Sequence, residues 1–286
     1  MSATSQSSEN VIAFQGELGA YSHMACKTKF PEMEALPCPS FEDALAAVQN
    51  GEAHFAMIPI ENSTAGRVAD IHMILPGSGL FIVDEHFQAI RHCLLGLSDS
   101  VDQDIKSVTS HVQALGQCRK TLRDMGLTPT AFADTAGSAL HVSQQKDKSL
   151  AAIASHLAAE VYGLRIIQED IQDQDHNTTR FVVLSNQAAN ITSENGEVMT
   201  TFTFEVKNIP AALYKALGGF ATNGVNMTKL ESYYDSDSFT ATEFFADIVG
   251  DMSMPNVVRA MEELEFHSKR VNILGTYPQA RSRTVK

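Results

Sequence analysis

The chain has 286 residues, of which 44% are hydrophobic, and its formal net charge is −13. This length predicts two or three compact units that each bury a core without disulfide or metal support. No Lys/Arg cluster precedes the last residues and no segment reaches the length of a membrane span, so neither nucleic acid nor a membrane is an expected partner. Residues 1–10 are polar and lack the apolar core of a signal peptide, which predicts a disordered leader and a cytoplasmic protein.

The cysteines and histidines show no spacing that is typical of a metal site. Reduced thiols without a CxxC pair are expected at Cys26, Cys38, Cys93 and Cys118. Surface or hydrogen-bonded core positions, rather than metal ligands, are expected for His92, His111, His141, His156 and His176. We therefore predict no metal and no cofactor.

Short apolar runs alternate with helical patterns between residues 11 and 185. Strands are predicted at Val11–Phe14, Phe55–Ile60, Phe81–Val83, His92–Leu97, Ser107–Thr109, Thr130–Phe132, Arg165–Gln168 and Phe181–Leu184. Helices are predicted over 41–51, after Asn62–Thr64, and at Gln113–Met125, Ala136–Gln145 and Ser149–Tyr162. This alternation indicates an α/β fold with mostly parallel sheets, in which ligands bind beyond the carboxyl ends of the strands. The turns Gln15–Ser22, Pro59–Gly66, Ser110–Ala114 and Thr135–Ser138 are thus candidate ligand-binding segments.

The pattern changes after a polar linker, which we predict at residues 186–197. The elements that follow are a strand at Met199–Val206, a helix at Pro210–Thr222, strands at Asn226–Tyr233 and Phe239–Val249 around the turn Asp235–Ser238, a helix at Pro255–Phe266 and a strand at Val271–Tyr277. This βαββαβ order is that of a ferredoxin-like unit. Residues 281–286, which include Arg281, Arg283 and Lys286, are expected to form a solvated tail.

Two polar segments of the first part follow predicted strands. In Gln15–Ser22, two glycines separated by two residues would let backbone N–H groups approach an anion at a helix start, although a tight turn without a ligand explains them as well. In Pro59–Gly66, three consecutive polar residues, Asn62, Ser63 and Thr64, favour a pocket for a carboxylate over simple helix capping. Glu61 could transfer a proton or pair with a nearby arginine.

A third polar segment, Asn177-Thr178-Thr179-Arg180-Phe181, precedes a predicted strand. A guanidinium such as that of Arg180 can hold a carboxylate by two parallel hydrogen bonds. The Thr179 hydroxyl can donate a hydrogen bond to a leaving oxygen. An ordinary polar loop is the alternative interpretation.

Taken together and in order, these motifs resemble the prephenate dehydratase family. The resemblance runs from about Val11 to about Pro278. It rests on Gly-x-x-Gly-x-Tyr-Ser, Pro59–Ser63, Gln113-Ala114-Leu115 with Gln117-Cys118, Asp134-Thr135-Ala136, and Asn177-x-Thr179-Arg180-Phe181. It implies a catalytic domain over 11–185 with two lobes, the second at about 87–175, like type II periplasmic binding proteins. No chorismate mutase helices precede it, so the chain is expected to be monofunctional.

The resemblance also implies roles for individual residues. Thr179 would be essential for catalysis. A threonine hydroxyl is a poor acid by itself, so a partner such as Glu61 or a water is expected to assist it. Substrate contacts are expected from Ser22, Asn62, Ser63, Thr64, Gln113, Ala114, Thr135, Asn177, Arg180 and Phe181.

Residues 198–280 resemble an ACT domain, the phenylalanine sensor of this family. The resemblance implies an effector site that includes Ala211, Ala212, Leu213, Asn226, Glu231 and Ser232. Two departures from the family pattern are an alanine at Ala211, where a glycine is usual, and Tyr233-Tyr234 in place of Arg-Pro. ACT domains of this type pair side by side, so a homodimer or homotetramer is expected.

The function that follows from the resemblance is conversion of prephenate to phenylpyruvate, inhibited by L-phenylalanine. The motifs do not separate prephenate from arogenate, so an arogenate dehydratase is one alternative. A binding module is another, either a non-catalytic amino-acid sensor or a two-lobed solute receptor. The intact Thr179-Arg180-Phe181 disfavours the sensor, and the lack of a signal-peptide pattern disfavours the exported receptor.

Overall fold

The computed structural model describes residues 8–192, 194, 196–234 and 241–283, without the side chains of Tyr234 and Ala241. The predicted turn Asp235–Ser238 and residues 1–7 of the predicted leader lie outside the described residues. Residues 8–10 of that leader form a single 3-10 turn. The chain divides into two compact units. The first contains the described residues up to Val68 and Phe87–Phe181, and the second contains Ala69–His86 and the described residues from Val182 onward.

The first part of the chain folds around two sheets. The elements are β1 (Val11–Gln15), α1 (Tyr21–Lys29), β2 (Glu34–Cys38), α2 (Phe41–Gln49), β3 (Phe55–Asn62), β4 (Gly66–Arg67), α3 (Ala69–Ile74), β5 (Phe81–Ala89), β6 (Cys93–Leu97), β7 (Ser107–His111), α4 (Val112–Gln117), α5 (Arg119–Asp124), β8 (Thr128–Phe132), α6 (Thr135–Gln145), β9 (Leu150–Ala154), α7 (His156–Tyr162), β10 (Leu164–Gln168) and β11 (Thr178–Ser185). One sheet has the order β2-β1-β3-β11-β5, with β4 paired to β3, and the other has the order β10-β6-β9-β7-β8. The predicted α/β architecture with two lobes, one around each sheet, is confirmed.

Two of the predicted helices are wrong in part. Ser149–Tyr162 was predicted as one helix, but Leu150–Ala154 is strand β9, which pairs in parallel with β7. Helix α7 begins only after Ser155, whose hydroxyl accepts a hydrogen bond from the Ala158 N–H at 3.0 Å. The reason is burial, because residues Ala151 to Ala154 are fully buried and form the middle of a sheet, where neighbouring strands override helix propensity. The predicted helix Gln113–Met125 is α4 and α5, separated at Cys118.

The strand β2 was not predicted, because its sequence carries little strand signal. It lies at an edge of its sheet, its burial pattern does not alternate, and it contains Pro37. Proline is tolerated in edge strands, where its missing N–H costs no hydrogen bond within the sheet.

The second unit contains the predicted ferredoxin-like fold. Its elements are β12 (Val198–Val206), α8 (Ala212–Thr222), β13 (Met227–Tyr234), β14 (Ala241–Val249), α9 (Pro255–His267) and β15 (Ser268–Pro278). The sheet order is β13-β14-β12-β15, and all neighbouring strands are antiparallel. One face of the sheet packs on both helices through Phe202, Phe204 and Phe244 against Ala216 and Leu264. This confirms the predicted element order.

Two details of the second unit differ from the expectation. Helix α8 begins at Ala212 rather than at Pro210, and Ala211 before it has a left-handed backbone, with φ 62°. Arg283 is not part of a solvated tail. Its guanidinium donates to both carboxylate oxygens of the fully buried Glu85, at 2.7 and 2.6 Å. A buried carboxylate is costly unless it is paired, so Glu85 orders this end of the chain.

No helix among the described residues is long and apolar enough to cross a membrane.

Candidate active site

A cavity of about 210 Å³ lies in the first unit, where β3 and β7 end and β11 begins. It is lined by Tyr21, Ser22, Pro59, Asn62, Val68, Ile90, His92, His111, Gln113, Ala114, Gln117, Thr135, Asn177, Thr179 and Phe181. Each of the four turns that the sequence singled out contributes a lining residue. Eight of the predicted site residues thus come together: Ser22, Asn62, Gln113, Ala114, Thr135, Asn177, Thr179 and Phe181.

Arg180 and Glu61 are not among the residues that line this cavity. Successive side chains of a strand point to opposite faces, so Thr179 and Phe181 share one face of β11 and Arg180 lies on the other. The Arg180 side chain is only 4% exposed, and its Nη1 donates to Glu61 Oε1 at 2.8 Å. The two charges neutralise each other between neighbouring strands. The expected carboxylate contact from Arg180 is therefore replaced in this structure by an internal ion pair.

The segment after β3 forms a turn and not the predicted helix start. Asn62 Oδ1 accepts hydrogen bonds from the N–H groups of Thr64 and Ala65, at 3.0 and 2.9 Å, and β4 follows directly. Ser63 lies away from the cavity and ties the turn to β11, because its hydroxyl accepts from the Thr178 N–H and donates to the His176 carbonyl. An Asn side chain favours such a turn over a helix.

The turn before α1 packs on α7. Gly19 has φ 87°, and a Cβ atom there would lie 2.8 Å from the Ala158 Cα. Ser155 Oγ donates to the Gly19 carbonyl at 2.5 Å, and Tyr162 donates to the Leu18 carbonyl at 2.7 Å. The Gly19 N–H donates to His23 Nδ1. The glycine is therefore required by this close approach, rather than to expose its N–H group to an anion.

One hydrogen-bond network connects the polar side chains of the cavity, and its polarity follows from the turn at Asn62. Because Asn62 Oδ1 accepts from two backbone N–H groups, its Nδ2 must point the other way. Asn62 Nδ2 donates to Asn177 Oδ1 at 2.7 Å and to Thr179 Oγ1 at 2.9 Å. Thr179 Oγ1 is thus an acceptor toward Asn62, and its own proton remains available for a donor bond to a ligand in the cavity.

The orientations of Asn177, Gln117 and Thr64 follow from that of Asn62. Asn177 accepts through Oδ1, so its Nδ2 donates to Gln117 Oε1 at 3.0 Å. Gln117 Oε1 is then an acceptor for His92 Nε2 as well, at 2.8 Å. Gln117 Nε2 donates to Thr64 Oγ1 at 2.9 Å, and Thr64 Oγ1 donates to Asn62 Oδ1 at 2.8 Å, which closes the network. Thr64, predicted to bind substrate, instead holds Gln117.

The network ends at Tyr21. Neutral His92 carries its proton on Nε2, because Gln117 Oε1 can only accept. His92 Nδ1 is then an acceptor for the Tyr21 hydroxyl at 2.7 Å. The Tyr21 hydroxyl also lies 2.9 Å from the Arg91 carbonyl oxygen, which is a second acceptor for its proton. Burial lowers the pKa of His92, an effect that the hydrogen bond to Gln117 opposes. Burial, with the neighbouring thiols of Cys93 and Cys118, raises the pKa of Tyr21 well above its usual value.

The residues that line the cavity include no Lys, Arg, Asp or Glu among those the structure describes. An anionic ligand would be held by hydrogen-bond donors and helix starts instead. Helix α1 begins at the cavity wall, and its N-cap residue, Ala20, makes no side-chain hydrogen bond to the first turn. Helix α6 begins at Thr135, with Asp134 as its N-cap. Unpaired N–H groups and the dipole at a helix start favour a carboxylate.

Seven lining residues were not predicted as site residues: Tyr21, Pro59, Val68, Ile90, His92, His111 and Gln117. Of these, Tyr21, His92 and His111 carry titratable side chains. Tyr21 lies inside the recognised Gly-x-x-Gly-x-Tyr-Ser motif, so the motif offered a signal. His92 shows none, since its partners Tyr21 and Gln117 are 71 and 25 residues away in sequence. His111 caps α4 by accepting from the Gln113 N–H at 3.3 Å.

The predicted effector residues lie in the second unit. Ala211, Ala212 and Leu213 form the start of α8, where Ala212 is buried in the core and Leu213 is partly buried. Asn226 precedes β13 and its carbonyl accepts from the Val249 N–H. Glu231 and Ser232 lie within β13, and Glu231 is 3.7 Å from Lys229 Nζ. Their role as an effector site stays a prediction.

A larger cavity, of about 450 Å³, lies in the second unit between α3 and the sheet. Its charged lining residues are Glu205, Glu243 and Arg270, and all three form ion pairs. Arg270 Nη2 lies 3.1 Å from Glu243 Oε1, and Glu205 Oε1 lies 2.7 Å from Nζ of the neighbouring Lys269. It contains no motif that the sequence indicates for catalysis. The smaller cavity around Thr179 is therefore the candidate active site.

Comparison with known proteins gives matches over almost the whole chain. The family model for prephenate dehydratase matches residues 12–189. A bifunctional N-acyl-homoserine lactone acylase/prephenate dehydratase from Komagataeibacter europaeus is 48% identical over 94% of this chain and 96% of the relative. An arogenate dehydratase/prephenate dehydratase from Arabidopsis thaliana is 36% identical over 93% of this chain and 72% of the relative.

Two solved structures are similar over the same extent. One is described as a novel type of quorum-quenching acylase and has a TM-score of 0.88 at 47% identity, over 94% of this chain and 98% of the other. The other is prephenate dehydratase from Arthrobacter aurescens in complex with L-Phe, with a TM-score of 0.86 at 29% identity, over 96% of this chain and 93% of the other.

Proposed function

Because this chain belongs to the prephenate dehydratase family, it is a hydro-lyase, and we propose that it converts prephenate to phenylpyruvate, carbon dioxide and water. This step would serve L-phenylalanine biosynthesis in the cytoplasm. The observation that carries the proposal is the orientation of Thr179. Its oxygen accepts from Asn62 at 2.9 Å and its proton is left for a ligand, which is what a departing hydroxyl group needs.

The reaction requires positioning more than a strong nucleophile. The bond between the ring and its carboxylate breaks, the electron pair enters the ring, and the bond to the hydroxyl group breaks with its pair on oxygen. Formation of the aromatic ring drives both events, so holding the reactive conformation is the main task of the enzyme. Thr179 donates a hydrogen bond to the departing oxygen, and Asn62 and Asn177 hold Thr179 in place.

The two carboxylates of the substrate need different surroundings. The start of α1 with Ser22, and the start of α6 with Thr135, offer N–H and hydroxyl donors for the carboxylate that is retained. Gln113 adds an amide. The carboxylate that leaves as carbon dioxide is placed against the apolar wall of Pro59, Ile90 and Phe181, because exclusion of water favours the uncharged product.

Prephenate is favoured over arogenate by the cavity. Arogenate carries an ammonium group where prephenate carries a keto group, and a desolvated ammonium group needs a carboxylate partner. Among the described lining residues there is none. The relative from Arabidopsis is named for both substrates, so both have to be assayed.

The test is side-by-side kinetics of the purified protein on prephenate and arogenate, with detection of phenylpyruvate and phenylalanine. A higher kcat/KM for prephenate supports the proposal. A higher value for arogenate would replace prephenate as the substrate and keep the reaction type. Absence of turnover on both would leave the amino-acid sensor as the better interpretation.

Feedback inhibition by L-phenylalanine is the second part of the proposal. The relative from Arthrobacter was solved in complex with L-Phe, and the ferredoxin-like unit here has the ACT element order. We expect phenylalanine to bind where two such units pair in a homodimer or homotetramer, at the start of α8 and along β13. Inhibition in a phenylalanine titration, together with the mass in solution by light scattering, tests this. Unaltered turnover at saturating phenylalanine would contradict it.

A second activity is favoured by one specific observation. Both the 48% identical relative and the structure with a TM-score of 0.88 are named as acylases, the former for N-acyl-homoserine lactones. Incubation with an N-acyl-homoserine lactone, and detection of the released fatty acid and homoserine lactone by mass spectrometry, decides whether this chain shares that activity.

A further inference from the structure

Loss of a hydroxyl group as water requires a proton, and the cavity offers few groups that can supply one. Among its described lining residues, the titratable side chains are Tyr21, His92 and His111. Thr179 can donate a hydrogen bond, but an alcohol is too weak an acid to give up its proton without a partner. The donor is therefore to be sought among these three.

Only one of the two histidine rings can hold two protons without breaking a contact. His111 Nδ1 accepts from the Gln113 N–H, so a proton on this nitrogen would place two donors face to face. His92 Nδ1 faces the Tyr21 hydroxyl at 2.7 Å, and a hydroxyl group can accept as well as donate. If His92 is protonated, its Nδ1–H donates to Tyr21 and the Tyr21 proton turns elsewhere. The Arg91 carbonyl oxygen lies 2.9 Å from the Tyr21 hydroxyl oxygen and can accept this proton.

We propose that Tyr21, backed by the imidazolium form of His92, is the acid that protonates the departing hydroxyl group. This inference rests on the proposed dehydratase function. Tyr21 transfers its hydroxyl proton to the oxygen that leaves from the ring, and takes the Nδ1 proton of His92 in the same step. The oxygen departs as water, Tyr21 is again a neutral phenol, and His92 becomes neutral. Solvent returns the proton to His92 after the products leave.

The groups around His92 are compatible with this role. They are Tyr21 on α1, Cys93 on β6, Cys118 after α4, the ion pair of Arg91 with Asp170, and Asp173 near Cys118. The thiols stay neutral, because burial raises the pKa of Cys93 to about 11 and that of Cys118 to about 12. Arg91 Nη1 lies 3.0 Å from Asp170 Oδ1, so the charges of these two side chains neutralise each other. Burial lowers the pKa of His92, and the two carboxylates of a bound substrate would raise it.

The arrangement also leaves the rest of the network intact. In both protonation states His92 Nε2 carries a hydrogen and donates to Gln117 Oε1 at 2.8 Å. The orientation of Gln117, Asn177 and Asn62 is therefore the same before and after proton transfer, and Thr179 stays in its donor orientation. His92 acts through Tyr21, while Tyr21 is the residue that contacts the substrate.

The test compares three variants with wild type: His92→Gln, Tyr21→Phe and His156→Gln. Glutamine at position 92 can still donate to Gln117 but cannot carry an extra proton. We expect kcat to fall about a hundredfold in His92→Gln and in Tyr21→Phe, with KM within about threefold, because general acids contribute factors of this order. In the wild type kcat should fall as pH rises through the pKa of His92, whereas His92→Gln should show no such step. His156 is exposed at the start of α7, and its variant should match wild type.

Two results would overturn the inference while the enzyme assignment stands. They are a wild-type kcat or pH profile in His92→Gln, and an unchanged kcat in Tyr21→Phe. Folding of each variant is checked by its thermal midpoint. A readout that needs no turnover is ¹⁵N NMR of the histidine rings at neutral pH. The His92 ring should carry its proton on Nε2, and Tyr21→Phe should shift its Nδ1 resonance; a proton on Nδ1 would refute the assignment. Loss of turnover in the wild type itself would refute the proposed function instead.

Discussion

Replacement of Asn62 by aspartate changes one atom of the side chain and reverses the polarity of the network at Thr179. The new carboxylate can still accept from the N–H groups of the turn, at Thr64 and Ala65. It cannot donate to Asn177 or to Thr179. The Thr179 hydroxyl would instead donate its own proton to the carboxylate, and this proton would no longer be available for the substrate.

The size of the effect follows from the contacts that are lost. Asn62 Nδ2 makes two hydrogen bonds, at 2.7 and 2.9 Å, and each contributes about 1 kcal/mol. Asn177 is 5% exposed, and leaving its Oδ1 without a donor adds about 1–3 kcal/mol. Because Asn62 is partly exposed and water can replace some of the lost contacts, we take the total loss of interaction free energy as about 3 kcal/mol. If this acts on the transition state, kcat/KM falls on the order of a hundredfold.

The assay is phenylpyruvate formation, with unfolding by urea measured on the same samples. Asn190→Asp is the matched control, because it makes the same change in charge at an exposed position. We expect Asn190→Asp to behave as wild type and Asn62→Asp to lose activity while it remains folded. A kcat/KM for Asn62→Asp within about threefold of wild type would refute the argument that Asn62 orients Thr179.

Three further predictions concern stability. Ala211→Gly should stabilise the protein by about 0.5–1 kcal/mol. The left-handed backbone costs alanine about 1–2 kcal/mol, and the greater conformational entropy of glycine in the unfolded chain offsets about 0.4–1 kcal/mol of the gain. Ala221→Gly, in an exposed position of α8, should destabilise the protein in the same urea titration. Gly19→Ala should lower the free energy of unfolding by about 2 kcal/mol, because the new Cβ would overlap Ala158, and unchanged stability would show that α7 yields easily. Burial alone would raise the pKa of Asp173, but hydrogen bonds from N–H groups and a hydroxyl of α5 hold it below its usual value. Its contribution is therefore complete above about pH 4 and is lost as pH falls below that, so Asp173→Asn should lose less stability than wild type on acidification, and parallel curves would contradict this.

The sequence predicted the composition of the site better than its geometry. The recognised motifs supplied eight of the residues around the cavity. Four motifs follow the carboxyl ends of β1, β3, β7 and β8, where α/β folds bind ligands, and the fifth begins β11. Arg180 was assigned to the substrate from the chemistry of its guanidinium group and from the motif to which it belongs. The alternation of side chains along β11 could have predicted that Arg180 lies on the face opposite to Thr179 and Phe181. Its ion pair with Glu61 could not be predicted, because Glu61 lies 119 residues away in sequence.

Other errors arose where tertiary contacts override local preference. The alanine-rich segment Leu150–Ala154 has good helix formers, yet it pairs with β7 on one side and β6 on the other. Similarly, Asn62 looked like a helix cap, and its two backbone donors instead close a turn before β4. His92 carried no local signal, since its role depends on three elements that only the fold brings together.

The proposed function depends most on Thr179, whose hydroxyl donates a hydrogen bond to the departing oxygen. The most direct test is the rate of phenylpyruvate formation by Thr179→Val, with Thr178→Val as the control. Both changes remove one hydroxyl and keep a β-branched side chain in β11, but alternation places Thr178 on the opposite face. We expect kcat to fall by at least about a hundredfold in Thr179→Val and to stay near wild type in Thr178→Val. Near-normal turnover of a folded Thr179→Val would contradict it.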